Sequence, residues 1–481
     1  MIKNIINTLS LTTVLISGHC LTGCTPVKQS AQLTPTQLEE VNKGPMVEYF
    51  ADDALGNALA VVQHPAGIYQ DGITYVTYQG PLEDPYVASY NHKTGEWKGP
   101  FKAGVSLMGK DPSRKKIDNH GKPTMIIDDA GYIHVFFGGH GGVPEHGKNP
   151  LGNIHYGENK HVVSKKPFDI TSWEELDTIP PFGTYNQAVK MDNGDIYLFY
   201  RHGAHRSNWV YQKSTDNGRT FDAPISFLKH QRRDDLQAVD SWYAWVGRGE
   251  GDDIIVGYDY HLCWDGGAGV NGRGHTTERH DVYYMVMDTK TGKWRNIHNE
   301  PLPMPLTREQ ADKKTLAAST GKKWTFNGSV HLDNKGYPHI ATNAGVDIGL
   351  KTGGPKKTVH YRWNGKKWLG GNAVAGVESR GDFKVDAPNN IRYLLGYNEG
   401  TDGVIAFWHS HNGGQSFSKQ KEVLRKPNAG WALTSLISNA HPDAQMIVAE
   451  KPKGTNWRRI YLLGENGPIK RSKADAQVLK P

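Results

Sequence analysis

Along most of the chain, apolar and polar residues alternate with a period of two, in short runs closed by turns rich in Asp, Asn and Gly. QDGITYVTYQG (70–80), DDAGYIHVFFGGH (128–140), MDNGDIYLFYRHG (191–203) and GEGDDIIVGYDYH (249–261) each read as a tight turn followed by a strand. LDNKGYPHIATN (332–343), NEGTDGVIAFWHS (398–410) and AHPDAQMIVAE (440–450) repeat the theme. Turn residues supply positive φ, and β-branched and aromatic residues fill the pleated surface. Between these hairpins, YNHKTGEW (90–97), MDTKTGKW (287–294) and YRWNGKKW (361–368) predict outer strands that turn into a Trp. STDNGRTF (214–221) fits the Asp-box pattern S-x-D-x-G-x-x-aromatic, and SHNGGQSF (410–417) is a weaker echo. An Asp box stabilises a hairpin and marks architecture, not chemistry.

Seven hairpins spaced by roughly 40–80 residues predict an all-β fold, a seven-bladed β-propeller of four-stranded antiparallel blades over residues 46–481. Closing the circle of sheets leaves only short protected edges. The competing architecture is a long sandwich or solenoid. Helical periodicity is confined to PTQLEEV (35–41) and PLTREQADKK (305–314).

The N-terminus departs from the pattern. Lys3 precedes a mostly apolar stretch, Ile5 to Ile16, and Leu21-Thr22-Gly23-Cys24 looks like a bacterial lipobox. Residues 1–23 are therefore expected to be a lipoprotein signal peptide, Cys24 the lipidated first mature residue, and 24–45 a polar tether. An ordinary secretory signal with a chance Cys is the alternative. No later stretch reaches the roughly 18 apolar residues of a membrane helix. The expected location is outside the cytoplasm, as an outer-membrane or cell-surface lipoprotein or a released protein. Membrane contact would then run only through the lipid, and the chain is expected to act as a monomer. Of the three cysteines, only Cys263 lies in the body, so no intramolecular disulfide is expected there.

The formal net charge of +7 suits a polyanionic partner. Nucleic acid is disfavoured by the export signal and by the lack of a recognisable motif, which leaves an anionic polysaccharide.

Chemistry-bearing residues recur at corresponding blade positions. His120 precedes the inner strand of the second blade and Tyr185 that of the third, while Tyr243 enters the fourth. His140 and Arg201 end the following strands of the second and third blades. Equivalent positions on adjacent blades face one channel rim, so these residues should form two neighbouring arcs. Each alone also fits a structural role, as a hydrogen-bonded His, a strand Tyr or a paired Arg. Together they suit β-elimination from a uronate. An Arg would stabilise the charge developing on the carboxylate as C5 loses its proton, and a His or Tyr would act as base and as acid. Hydrolysis would require a placed carboxylate pair instead.

His261, Cys263 and His275, with His205 from the adjacent blade, form a candidate closed tetrahedral set for structural Zn²⁺. A buried free Cys with unrelated His neighbours is the alternative. The basic stretch Lys110 to Lys122, together with Arg232 and Arg233, fits either a solvated face or a sulfate- or carboxylate-binding surface.

On DNHGKPTMIIDDAGYIHVFFGGHGG (118–142), GTYNQAV (183–189), YLFYRHGAHR (197–206), DSWYAWV (240–246) and YDYHLCWDGG (258–267), the chain resembles the seven-bladed ulvan lyases of polysaccharide lyase family 25. The likeness spans about residue 45 to the end. It implies His120 and Tyr185 as the acid–base pair, His140, Arg201 and Tyr243 as uronate contacts, and Zn²⁺ on His205, His261, Cys263 and His275. The implied substrate is ulvan, an algal polymer of sulfated rhamnose and uronic acids. Which residue is base and which acid stays open, because glucuronate and iduronate present C5–H on opposite ring faces. The rival functions are a sialidase-like propeller enzyme, disfavoured by the single good Asp box and the clustered His residues, and a non-catalytic glycan-binding lipoprotein.

Overall fold

The computed structural model describes residues 44–59, 64–110 and 117–477. The expected signal peptide, Cys24, the PTQLEEV segment and residues 111–116 of the basic stretch lie outside the described residues.

From Pro45 onward the chain is all-β and runs through successive four-stranded antiparallel meanders, the organisation of a β-propeller. The first is Gly67–Gln70, Ile73–Gln79, Pro85–Asn91 and Glu96–Lys102. The second is Thr124–Ile127, Ile133–Gly138, Asn159–Ser164 and Trp173–Leu176; the third is Thr184–Lys190, Ile196–Arg201, Trp209–Ser214 and Ile225–Leu228. The fourth has the long strands Ala238–Arg248, Asp253–Trp264 and Arg279–Asp288, then Lys293–Arg295. The fifth and sixth start at Lys323–Leu332 and Ser379–Ala387. The last, Ala429–His441, Ala444–Pro452 and Trp457–Gly464, takes its fourth strand from the other end of the chain, Ala51–Leu55. That N-to-C pairing ties the two ends of the described chain into one sheet.

A central cavity of about 1050 Å³ is lined by the first strand of every meander, through Ile68, Ile126, Ala188, Val246, Val330, Phe383 and Leu436. Its lining extends to the C-terminal ends of these strands, at Asp192, Gly249 and Asp386. The chemistry-bearing residues instead gather toward the N-terminal ends.

The hairpins at 70–80, 128–140, 191–203, 249–261, 332–343 and 440–450 connect first to second strands, as their turn chemistry predicts. The one at 398–410 joins the second and third strands of its meander, because a separate turn already links Ala387 to Asn390. Both Asp-box segments close in the same way: Gly218 N donates to Ser214 Oγ at 2.8 Å, and Gly414 N donates to Ser410 Oγ at 2.9 Å. Thr220 N bonds Asp216 Oδ1 at 2.9 Å and Ser416 N bonds Asn412 Oδ1 at 3.0 Å, so Asn substitutes for Asp in the second box. Each box packs on a buried His pair of the preceding meander, His134–His161 or His339–His360, at 2.9 and 3.0 Å.

PLTREQADKK does form a helix, Arg308–Lys314, started by a capping box between Thr307 and Gln310. Among the described residues, no helix is long and apolar enough to cross a membrane. Cys263 is buried and free.

Candidate active site

The site is built where the second, third and fourth meanders meet. His120 lies four residues before its strand, and His140 lies two residues beyond Gly138, where the second strand ends. Their rings stack at 3.6 Å and 10°, so the two expected arcs meet as one cluster. Asp118 holds both, with His120 Nδ1 at 2.5 Å from Oδ1 and His140 Nδ1 at 2.8 Å from Oδ2. Burial would raise the Asp118 pKa, but His120 and His140 outweigh it and hold the carboxyl well below its ordinary range. An ionised carboxylate only accepts, so both imidazoles carry their proton on Nδ1 and present Nε2 away from Asp118. Burial lowers the His120 pKa, with Asp118 opposing, and lowers that of His140 to about 3, so both rings rest neutral near pH 7.

Tyr185 sits inside its strand, not ahead of it, at a β-bulge between Thr184 and Gln187. Its φ is +66°, a conformation that costs a non-glycine residue about 1–3 kcal/mol. The bulge aims the ring at His120, 5.5 Å away, and lays it parallel to Trp209 at 6.3 Å. Tyr243, in the middle of Ala238–Arg248, meets Tyr185 edge-on at 5.4 Å. Arg201 is fully buried, with its guanidinium 4.9 Å from the Tyr185 ring and 5.2 Å from the Tyr243 ring. Its Nε bonds Gly203 O at 3.3 Å, and neither terminal nitrogen has a hydrogen-bond partner of good geometry. Such buried donors are expensive unless a ligand satisfies them.

Burial raises the Tyr185 hydroxyl pKa well above 10, with Tyr243 adding to it. The same burial acts on Tyr243, but the guanidiniums of Arg279 and Arg201 outweigh it and lower that hydroxyl. The two tyrosines therefore differ in how readily they release a proton.

Beside this cluster, one ligand atom each of His261, Cys263 and His275 lie within 4.8 Å of one another. Cys263 Sγ is 3.5 Å from His275 Nδ1. His261 Nδ1 donates to Glu278 O at 2.8 Å, while its Nε2 is buried without a partner. This leaves an oriented lone pair of the kind a metal takes. His205 stands between the two groups, its ring 4.4 Å from His275, 6.0 Å from His261, 5.6 Å from His140 and 5.9 Å from His120.

Three contributors escaped the sequence reading. Asp118 was visible two residues before His120 in the DNH motif. Arg279 and Phe326 carry no local signal, since only sheet pairing and a bulge between Phe326 and Gly328 bring them to the site. The basic residues singled out at Arg232 and Arg233 are already engaged by Asp265, Asp235 and Asp240, so they form an ion-paired face, not a free anion site.

Residues 73–370 match the profile described as BNR repeat-containing family member. An ulvan lyase of Alteromonas sp. (strain LOR) is 62% identical over 96% of both chains. An ulvan lyase of Pseudoalteromonas sp. (strain PLSV) is 61% identical over 98% of this chain and 96% of that one. The solved structure of a polysaccharide lyase family 25 ulvan lyase shares 63% identity and a TM-score of 0.88, covering 90% of this chain and 100% of that one. A second structure of that kind, with the same identity, coverage and TM-score, is bound to -[GlcA(1-4)Rha3S]-. At this identity and coverage the chain belongs to the BNR repeat-containing family and to the ulvan lyases of polysaccharide lyase family 25.

Proposed function

We propose that this chain cleaves ulvan by β-elimination on a seven-bladed propeller, using His120 and Tyr185 as the acid–base pair. The observation that carries the mechanism is the buried Arg201 guanidinium, whose two terminal nitrogens lack partners and which lies against Tyr185 and Tyr243 while Tyr185 faces His120. Seven inner strands lining one cavity, and the closure of the last meander by Ala51–Leu55, support the blade number.

In the proposed reaction, the uronate carboxylate docks on the Arg201 terminal nitrogens, with Tyr243 and His140 beside it. That pairing lowers the energy of the enolate-like charge which grows as C5–H breaks. The C5 electron pair forms the C4–C5 double bond, the C4–O bond breaks, and the departing oxygen takes a proton. His120 rests neutral with Nδ1 fixed on Asp118, which suits Nε2 to accept the C5 proton. Tyr185 holds its proton firmly until the leaving oxygen develops charge, which suits the acid role. A substrate epimer with C5–H on the other face exchanges the two roles.

His261, Cys263 and His275 fit a zinc ion, and His205 would supply the fourth position. With four protein ligands no site remains for a catalytic water, so the ion would brace the loops beside Arg201. The lipobox at Cys24 supports lipid-anchored export; a Cys24→Ser change should release the protein from the membrane fraction. Turnover is tested by incubating the chain with ulvan and following the ultraviolet absorbance of the unsaturated uronyl product. A rise that His120→Ala and Tyr185→Phe abolish supports the reading. Release of reducing ends without that absorbance would overturn it.

A further inference from the structure

The Arg201 site does not end at Tyr243. The Arg279 guanidinium carbon lies 3.2 Å from the Tyr243 ring centre on one side and 4.7 Å from the Phe326 ring centre on the other. Arg380 follows at 5.2 Å from Phe326, and the Lys356 ammonium lies 6.0 Å from the same ring. Cations and aromatic rings thus alternate in one row, Arg201, Tyr243, Arg279, Phe326 and Arg380, from the third meander to the sixth. Phe326 occupies a bulge whose next residue, Asn327, has φ +47°, the counterpart of the bulge that aims Tyr185.

The row is poorly neutralised. Arg279 is only 3% exposed, and its Nε and Nη1 are buried with no hydrogen-bond partner. Among the described residues neither Arg279 nor Lys356 forms an ion pair, and Arg380 reaches only Glu378 at 3.7 Å. Lys356 donates to the carbonyls of Thr352 and Gly354 and keeps a third N–H. Burial lowers its pKa to about 8, with Arg279 and Arg380 adding to the effect and the more weakly felt Glu378 and Asp347 opposing it. Asp259, a buried carboxylate, accepts from the Thr325 hydroxyl at 2.8 Å and forms no ion pair with Arg279 among the described residues. A fold gains nothing by gathering three under-neutralised cations around one ring unless an anion enters.

We propose that Arg279, Lys356 and Arg380, arranged around Phe326, form an anion subsite for the sulfate ester or carboxylate of a sugar flanking the cleaved uronate. The proposal rests on the lyase reading and extends that site along the polymer. It assigns chain positioning, and a preference for charged substrate, to residues away from the bond being broken.

The test compares wild type with Arg380→Gln, Lys356→Gln and Arg380→Lys on sulfated and desulfated ulvan oligosaccharides. Each Gln variant should raise KM for the sulfated substrate about tenfold, the loss expected for one charge-assisted hydrogen bond, with kcat at saturation unchanged. Arg380→Lys should recover part of the loss. If the effect vanishes on desulfated substrate, the anion is the sulfate; if it persists there, the anion is a flanking carboxylate. Unchanged KM in correctly folded Arg380→Gln and Lys356→Gln proteins would overturn the subsite. Calorimetric titration of the sulfated oligosaccharide into the same proteins separates the two claims. If wild type forms no unsaturated product, the lyase reading fails, and the subsite stands or falls on whether the Gln variants bind more weakly.

Discussion

Replacing Asp118 by Asn tests whether the two imidazoles work as a fixed pair. The carboxylate accepts from His120 Nδ1 at 2.5 Å and from His140 Nδ1 at 2.8 Å, through different oxygens. Asn has nearly the same shape but offers one acceptor and one donor. One imidazole would then have to present an unprotonated Nδ1 to the amide N–H and move its proton to Nε2. Where that imidazole is His120, the lone pair facing the substrate is lost. Tautomer errors of this kind cost about 10²–10⁴ in kcat, or about 3–5 kcal/mol of transition-state stabilisation. KM should move less than kcat, because the uronate docks chiefly on Arg201 and Asp118 reaches it only through His140. The assay is steady-state formation of unsaturated uronyl product, with thermal unfolding as a control for the fold. Asp118→Asn protein that melts like wild type and keeps kcat within about threefold would refute the tautomer argument.

Other outcomes follow from the same geometry. Tyr185→Phe removes only the hydroxyl and leaves the Trp209 and His120 ring contacts, so turnover should fall at least about a hundredfold with the fold intact; near-normal rates would remove Tyr185 from the acid–base role. Cys263→Ser should lower both zinc content and thermal stability, and wild-type protein without zinc by elemental analysis would refute the metal set. His339, buried against His360 and Asp333, has its pKa lowered by burial to about 4. The unfolded ring titrates higher, so its stabilising effect is complete above about pH 6.5 and is lost as pH falls toward 4, by about 3 kcal/mol. Denaturation of wild type and His339→Gln at both ends of that window should show a shallower pH dependence in the variant, and equal slopes would contradict the assignment.

Period-two alternation and turn chemistry were enough to read the meanders, since a strand with one buried face repeats every second residue whatever its neighbours do. The Asp-box echo at Ser410 held because Asn412 supplies the same acceptor as Asp216. The blades that carry His120, Tyr185, Tyr243, His140 and Arg201 were legible, but their positions are not equivalent: His120 precedes its strand, Tyr185 lies inside one at a bulge, and Tyr243 is in the middle of a long one. What stayed hidden depends on departures from the repeat. The bulge that puts Tyr185 at positive φ adds a residue without any glycine to mark it. Arg279 reaches Tyr243 only because the fourth meander has unusually long strands, with Arg279 pairing opposite His261. The position of His205 between two imidazole groups is set by ring orientations that residue spacing does not encode.

The measurement that bears most directly on the central claim is mass spectrometry of the oligosaccharides released from ulvan by the wild-type chain. Elimination predicts a new non-reducing end lighter by one water than a saturated uronate, carrying the conjugated double bond and absent from the Tyr185→Phe digest. Saturated ends that have gained a water at each cleavage would contradict the account.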